Sequence, residues 1–353
     1  MTRPIRFPGA VVLFGLLGAV SFHTQALAQS APQQGADERI REAQPSQSVR
    51  DVLREEHALF SDRFTIEPGI SYSYSDRSQM MLDGWLFEHA IFLGDISVDS
   101  VKSHTTTFDL SLRYGFTNRL EAQLNIPYVY RSSTFETQGS AGNRQSGSQN
   151  GGDLGDIQGD LYYRLLPGTE SRPDVVWSLG FRAPTGKHPY GINTRNAGEN
   201  LYVPDELPTG NGVWGVSTGF SVLKTLDPAI VFANFGYTYN FDKSFSDVGN
   251  NPDTKNPGEV SLGDSIRFGF GTAFALNPRF SLSFSYTHQQ TFETSVKLDG
   301  SAREDLGEAT AGAFNIGATY AMSDTMSLVT NLGIGVTDDA PDITLTFRLP
   351  FQM

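Results

Sequence analysis

The sequence predicts an all-β fold, a transmembrane antiparallel β-barrel of about twelve strands with a short helix before the first strand. Three observations predict it. Apolar and polar residues alternate along most of the chain after Phe64, which is the period of half-buried strands. Short turns alternate with long polar loops between these segments. The chain also begins with a secretion signal, and no later apolar run is long enough for a membrane-spanning helix.

Residues 1–28 have the features of a signal peptide. Arg3 and Arg6 give a basic start, an apolar run follows over 10–22, and an Ala-x-Ala cleavage site ends at Ala28. Removal of its two arginines takes the formal net charge from −13 to −15, and so acidic a chain is a poor binder of nucleic acid. The chain has no cysteine, which excludes a disulfide framework and thiolate chemistry.

Residues 29–63 form a periplasmic segment between the signal and the first strand. Its first part is rich in Gln, Ala, Ser and Pro, whereas 48–60 carries a helix signature, with Ser48 as the N-cap and Asp51 three residues later. The helix would carry an apolar stripe and neighbouring charges: Val49, Val52, Leu53, Phe60 and Arg54. A helix of about twelve residues is marginal alone in water, so we expect it to dock on another part of the chain.

Strand patterns fill residues 64–353, which we interpret as one barrel domain. The clearest pattern is 108–131, where two alternating segments meet at a tight turn around Thr117 and Asn118. The pattern recurs near 64–76, 156–166, 174–184, 213–224, 229–241, 263–276, 279–296, 310–322, 325–337 and 343–353. If 77–102 is one long loop, the strands number about twelve, and an even number is typical of bacterial single-chain barrels.

The connections alternate between short and long. Short turns are predicted at 117–118, 167–173, 225–228, 277–278 and 323–324. Long Gly- and Asn-rich loops are predicted at 77–102, 132–155, 185–212, 242–262 and 297–309. In outer-membrane barrels the short turns are periplasmic and the long loops extracellular. The pattern therefore predicts a bacterial outer-membrane location, with both ends of the barrel domain in the periplasm.

The charged residues indicate which face of the strands meets lipid. Ten of them fall in phase with the polar residues and are the candidate lumen-lining residues: Glu67, Asp109, Arg113, Glu121, Arg131, Asp160, Arg164, Arg182, Arg267 and Arg348. A lipid-facing arginine at the bilayer midplane costs about 2–4 kcal/mol, so an arrangement with the charged face towards lipid is disfavoured. A soluble sandwich also permits the alternation, but aromatic residues recur near the strand ends as in interfacial girdles. We therefore predict that the apolar face meets outer-membrane lipid.

The predicted lumen is narrow, because a barrel of about twelve strands lies between small filled barrels and wide porins. Two interpretations of its charges stay open. The charges pair across the lumen and stiffen the barrel, or the arginines form a filter that favours anionic or polar solutes. Tyr162 is the lumen-phase aromatic residue that a phenol-like solute could contact.

Five stretches resemble a known family of outer-membrane transporters: FTIEPGISYSYS, LSLRYGFTNRLEAQLNIPYVYRS, GDLGDIQGDLYYRLL, RAPTGKHPY and LPTGNGVW. That family includes the Fap functional-amyloid secretion channel of pseudomonads and barrels associated with the meta-pathway of phenol degradation. The resemblance covers 48–353 and implies, as in the amyloid channel, a periplasmic helix that plugs the lumen; SVRDVLREEHALF stands at that place. The chain lacks the long periplasmic coiled-coil region of the amyloid channel, which disfavours amyloid secretion and a trimer.

These features predict a gated passive channel for small solutes, with a secretion pore for amyloid-type polypeptides as the alternative and an outer-membrane hydrolase as a minor alternative. The histidines match no G-x-S-x-G, H-E-x-x-H or metal-pair motif, PTGK is no P-loop, and GGDLGDIQGD lacks EF-hand spacing. We therefore expect no catalytic residue, no cofactor and no metal. The expected partners are outer-membrane lipid, a small solute or exported polypeptide, and the barrel-assembly machinery through the C-terminal strand, with homo-oligomerisation left open.

Overall fold

The computed structural model of the protein describes residues 64–77, 80–82, 85–87, 100–138, 143–198, 201–226, 229–249 and 253–353. All regular secondary structure in these ranges is β-strand. None of the residues described belongs to a helix long and apolar enough to cross a membrane. The signal peptide and the predicted helix with Val49, Val52, Leu53, Arg54 and Phe60 lie outside these ranges.

The described residues contain twenty strands. In chain order they are β1 (Phe64–Arg77), β2 (Met80–Leu82), β3 (Trp85–Phe87), β4 (Ser100–Thr117), β5 (Leu120–Gln138), β6 (Arg144–Leu154), β7 (Ile157–Leu166), β8 (Asp174–Ala183), β9 (Thr194–Asn196), β10 (Tyr202–Pro204), β11 (Gly215–Leu226), β12 (Ala229–Asn240), β13 (Lys243–Phe245), β14 (Gly258–Ser261), β15 (Ser265–Asn277), β16 (Phe280–Leu298), β17 (Arg303–Ala321), β18 (Ser327–Gly335), β19 (Ile343–Arg348) and β20 (Phe351–Gln352).

Twelve of these strands close into one antiparallel ring, which confirms the predicted barrel. The order around the ring is β1, β4, β5, β7, β8, β11, β12, β15, β16, β17, β18 and β19, and β19 pairs with β1 to close it. Ring neighbours are also neighbours among the barrel strands in sequence, so the barrel is an up-and-down meander. Closure pairs the main-chain hydrogen-bonding groups within the sheet and removes its edges, as a lipid environment requires.

The strands carry their apolar residues outward. On β4, Phe108, Leu110, Tyr114 and Phe116 are exposed, whereas Arg113, which is in phase with the polar residues, is only 7% exposed. Around the ring, apolar side chains likewise face outward and charged side chains inward. In water this arrangement would be unfavourable, because a large apolar surface would be exposed. The outer surface is therefore the lipid-facing surface of an outer-membrane barrel, as the sequence predicts.

Several segments differ from the sequence prediction. The predicted loops 77–102, 185–212 and 242–262 contain the short strands β2, β3, β9, β10, β13 and β14, and most of the predicted loop 297–309 belongs to β16 and β17. The region 132–155, predicted as a loop, instead extends β5 and forms β6, because main-chain pairing from Tyr128 with Leu154 to Gln138 with Arg144 requires no apolar side chains. The last strand, predicted as continuous over 343–353, is interrupted between β19 and β20. Pro350 lies in the gap and has no amide hydrogen to donate to a strand ladder.

The ring has a short-turn end and a long-loop end. The short-turn end includes the connections β4–β5, β7–β8, β15–β16 and β17–β18, and the long-loop end includes the segments between β8 and β11 and between β12 and β15. β1 begins at the short-turn end, since Phe64 pairs with Tyr114 near the end of β4. The first barrel strand therefore begins at that end.

Orientation can be tested by cysteine labelling, because the chain has no native cysteine. Ser301 lies at the long-loop end and Ser171 in a short turn, and both are exposed. We expect Ser301→Cys to react with an impermeant thiol reagent on intact cells and Ser171→Cys to react only after the outer membrane is permeabilised. Labelling in the reverse order would show that the barrel is inserted the other way round.

Candidate functional site

A cavity of about 790 Å³ lies inside the barrel. Its lining comes from β1, β4, β5, β7, β8, β11, β12, β15, β16 and β19, together with Asn211 from the segment between β10 and β11. Six of the ten candidate lumen residues line this cavity: Glu67, Asp109, Asp160, Arg182, Arg267 and Arg348. The other four, Arg113, Glu121, Arg131 and Arg164, lie on the same inward faces of their strands without lining the cavity.

Most of the inward charges form ion pairs with residues on neighbouring strands. Glu67 contacts Arg113 at 3.5 Å and Arg348 at 3.4 Å, and Arg113 also lies 3.7 Å from Glu121. These pairs run along the wall and do not cross the lumen, because each partner is on the next strand of the ring. They hold β19, β1, β4 and β5 together.

Further pairs follow the same pattern on the adjoining strands. Arg164 on β7 lies 3.7 Å from Asp174 on β8, and Arg182 lies 3.9 Å from Asp156 and donates a 2.6 Å hydrogen bond to Asn240. Asp109 lies over Gly69, where a Cβ atom would be 2.6 Å from both carboxylate oxygens, so a larger residue there would displace the Asp109 side chain. These arginines therefore have structural partners as well as access to the lumen.

Asp160 and Arg267, unlike the paired charges described above, form no ion pair with a described residue. Asp160 has no cationic partner among the residues described, and Arg267 contacts no carboxylate among them. The Arg267 guanidinium instead donates two hydrogen bonds to Gln289 Oε1, at 3.0 Å and 2.5 Å. Both side chains line the cavity. Two opposite charges therefore face the same space without neutralising each other.

An apolar patch interrupts the polar wall at the short-turn end. Leu223, Ile230 and Ala273 are at most 2% exposed and pack with Phe232. Ile230 pairs with Ala273 across β12 and β15, and all four residues are in phase with the inward polar residues of their strands. The patch therefore faces the lumen at the end of the barrel where β1 begins.

The segment 184–214 folds inward at the long-loop end. Its residues Leu201, Val203 and Leu207 are at most 3% exposed and pack against Val101 and Phe135, which are on the inward faces of β4 and β5. A second part of the segment, with Tyr190 and Val213, joins a cluster formed by Val248, Val260, Leu262 and Val296. Buried apolar contacts of this extent hold the segment over the cavity.

Asp156 anchors this segment to the wall. Its side chain is 2% exposed and accepts hydrogen bonds from the amides of Gly186 at 3.0 Å and Asn211 at 2.8 Å. Gly186 ends one Pro-Thr-Gly turn, 184–186, and Asn211 directly follows a second, 208–210. We call this arrangement the Asp156 clamp. Burial raises the pKa of Asp156, although the two amide hydrogen bonds lower it.

The threonines of the two turns complete the clamp. Thr185 donates a 2.7 Å hydrogen bond to the carbonyl of Gly155 and accepts one from the amide of Ile157 at 2.9 Å. Thr209 donates to the carbonyl of Leu154 at 2.7 Å and accepts from the amide of Lys187 at 3.0 Å. The two turns therefore join each other and the start of β7.

The histidines that the structure describes contact aromatic side chains. His104 lies against Tyr74 and hydrogen-bonds the Tyr72 hydroxyl at 2.8 Å, and His288 lies 4.8 Å from the Phe268 ring. His188 packs between Tyr190 and Phe245, and burial lowers its pKa. In the same part of the chain, no three acidic or histidine residues lie together as potential metal ligands. The three acids of GGDLGDIQGD instead lie in β6 (Asp153), in the clamp (Asp156) and in β7 (Asp160). His57 and His89 lie outside the described residues.

Comparison with known families identifies the chain. Residues 94–352, most of the chain, match the family described as "Putative MetA-pathway of phenol degradation". The chain belongs to this family. The phenol-degradation family was predicted from the five stretches quoted above, and the match confirms it.

Of three similar solved structures, the first shows the same fold. An outer membrane channel from Pseudomonas putida F1 is 17% identical, with a TM-score of 0.53 over 83% of this chain and 97% of that one. The P. putida toluene transporter TodX is 12% identical, with a TM-score of 0.42 over 83% and 91%. The translocator domain of the autotransporter NalP from Neisseria meningitidis is 6% identical, with a TM-score of 0.46 over 86% and 94%. This member of the phenol-degradation family therefore has the barrel fold of an outer-membrane channel.

Proposed function

We propose that the protein is a gated passive channel that admits small polar solutes across the outer membrane. The observation that carries this proposal is the closed barrel around a cavity of about 790 Å³ with a largely polar and charged lining. A small polar solute fits a cavity of this volume without rearrangement of the barrel wall. The family description and the channel fold of the structural relative support the same function.

Two features support gating. Segment 184–214 covers the cavity at the long-loop end and is held by the Asp156 clamp. At the other end, the lumenal apolar patch lies at the end of the barrel where β1 begins. The predicted helix at 48–60 carries an apolar stripe that matches this patch, so we propose that the helix docks there and restricts the bore. A helix is about 10–12 Å wide with its side chains, and a twelve-stranded bore is expected to be narrow.

The channel function predicts measurable current. The purified protein, inserted in a planar bilayer with KCl on both sides, should give discrete single-channel steps, and proteoliposomes should swell in small polar solutes. Heat-modifiable migration on gels provides the control that the barrel is folded. A folded barrel that passes neither ions nor solutes would contradict the proposal.

The cavity charges should set ion selectivity. Arg348 lines the cavity and its side chain is 43% exposed, so Arg348→Gln removes an accessible positive charge. Glu67 keeps its contact with Arg113 in this variant. We expect the reversal potential in a KCl gradient to move towards cation preference. Lys297→Gln, which removes an exposed charge at the end of β16, is the matched control, and equal shifts in both variants would place Arg348 outside the conduction path.

A further inference from the structure

Part of the cavity wall is built from very small side chains. One row of paired residues across β7, β8, β11, β12 and β15 runs Tyr162, Ser178, Gly219, Gly236 and Arg267. The next row runs Asp160, Gly180, Ser217, Thr238 and Ser265. The three middle residues of the two rows are glycine, serine or threonine, and we call them the glycine bay: Ser178, Gly219, Gly236, Gly180, Ser217 and Thr238. The bay is a recess in the wall of the proposed channel.

Charged residues of opposite sign stand at the two sides of the bay. Asp160 and Tyr162 are on β7, and Arg267 is on β15, four strand spacings away, or about 19 Å along the wall. The Asp160 carboxylate leans over the neighbouring strand, since its Oδ1 would be 2.5 Å from a Cβ atom at Gly180. All of these residues line the same cavity.

Asp160 and Arg267 are available to bind a charged ligand, because neither has an oppositely charged partner among the described residues of the wall. The other cavity-lining arginines have carboxylate neighbours within 4 Å, namely Arg182 with Asp156 and Arg348 with Glu67. Arg267, in contrast, is oriented by Gln289, and Asp160 has no cation partner in the described part of the chain. A charge held in a confined site without a counter-charge is unfavourable, and a ligand that supplies both counter-charges relieves that cost.

We propose that the glycine bay binds a small zwitterion, with an ammonium group at Asp160 and a carboxylate at Arg267. This inference rests on the proposed channel function and names its solute class, a short amino acid whose two charged groups are at opposite ends. A planar guanidinium matches a carboxylate through paired hydrogen bonds, whereas a free carboxylate accepts from an ammonium group. The uncharged middle of such a solute lies along the small residues of the bay.

Substitution of Gly236 tests whether the solute occupies the glycine bay. A Cβ atom there would meet only the carbonyl oxygen of Thr218, at 3.6 Å, so a larger side chain is accommodated at its root and projects into the cavity. Gly159 offers the matched control, because a Cβ there would be 4.0 Å from the carbonyl of Gln123 and the residue alternates with Asp160, on the outer face. Gly236→Leu should fill the bay, and Gly159→Leu should leave it unchanged.

The experiment measures block of the KCl current of the full-length protein in planar bilayers. The probes are glycine, γ-aminobutyrate and ε-aminocaproate, with caproate and hexylamine as singly charged controls. At least one zwitterion should block with an apparent affinity about tenfold or more above both controls, since each charge-assisted contact is worth about that factor. The zwitterion length that blocks best measures the gap between Asp160 and Arg267.

The variants assign the two ends. Asp160→Asn should weaken zwitterion block about tenfold without changing block by caproate, and Arg267→Gln should weaken it without changing block by hexylamine. Gly236→Leu should abolish zwitterion block, and Gly159→Leu should retain it. Equal block by zwitterions and singly charged probes in a conducting wild-type channel would overturn the zwitterion site while the channel function stands. Absence of any KCl current from the folded wild-type barrel would instead overturn the channel function itself.

Discussion

Deletion of residues 46–60 is expected to raise the single-channel conductance severalfold and to make cells sensitive to small antibiotics. The physical reason is the match between two apolar surfaces. The predicted helix carries Val49, Val52, Leu53 and Phe60 on one side, and the lumen presents the patch of Leu223, Ile230, Phe232 and Ala273 at the end where β1 begins. Burial of a Val or Leu side chain contributes about 1.5–3 kcal/mol, so several such contacts would hold the helix in place.

The control separates docking from a general effect of shortening the chain. The double variant Val52→Asp, Leu53→Asp keeps the length but removes the apolar stripe, and it should reproduce most of the increase in conductance. Glu55→Ala with Glu56→Ala changes the charged side and should conduct like the wild type. An unchanged conductance on deletion, with the barrel still heat-modifiable, would show that 46–60 does not restrict the bore.

The lumenal patch gives the reciprocal test. Leu223 lies on the inward face of β11 near the short-turn end, and Leu223→Ser should weaken the same contact from the wall side. If the helix and the patch interact, the effects of Leu223→Ser and Leu53→Asp on conductance will be less than additive. Additive effects would place the helix on another surface.

The alternation of the strands is a strong local signal, and it made the barrel predictable. From Leu120 to Tyr130, the apolar phase of the sequence is the lipid-facing phase of β5, and the charge of Arg131 marks the inward phase. Alternation of period two is fixed by strand geometry, and the cost of charge in lipid then selects the outward face. The inward position of the charged residues therefore needed no long-range information.

The partners of the inward charges required the register of the whole ring. Glu67 and Arg348 are separated by most of the chain in sequence and meet only because β19 closes onto β1. Arg113 contacts both Glu67 and Glu121 because β4 lies between β1 and β5. The sequence supported pairing across the lumen and a filter equally, and neither interpretation predicted pairing along the wall.

The inward fold of segment 184–214 could not be predicted from the local sequence pattern either. Its apolar residues are spread among Gly, Pro and Asn, so they have no helical or strand periodicity, and they are buried by residues of β4 and β5. In the sequence, Asp156 is only one of the acids of GGDLGDIQGD, which lacks EF-hand spacing. Its partners are backbone amides thirty and fifty-five positions further along the chain. Backbone donors carry no sequence signal.

Replacement of Asp156 by alanine is expected to release segment 184–214 from the long-loop end. The change removes the acceptor for the amides of Gly186 and Asn211 and the carboxylate beside Arg182. Loss of one member of a buried charged network costs about 3–5 kcal/mol, so the open segment should become on the order of a hundredfold or more populated. Val203→Cys reports the opening, because Val203 is 0% exposed when the segment is closed.

The measurement is the rate at which Val203→Cys reacts with an impermeant thiol reagent on intact cells, with and without Asp156→Ala. Asp153→Ala is the matched control: Asp153 lies three residues before Asp156, and its ion pair with Lys187 at 3.6 Å is exposed, so its loss should change the rate little. Single-channel conductance should rise with Asp156→Ala, since the released segment no longer covers the cavity. Equal labelling rates in the Asp156→Ala and Asp153→Ala backgrounds would mean that the apolar contacts of Leu201, Val203 and Leu207 suffice to hold the segment closed, and that the Asp156 clamp is not its anchor.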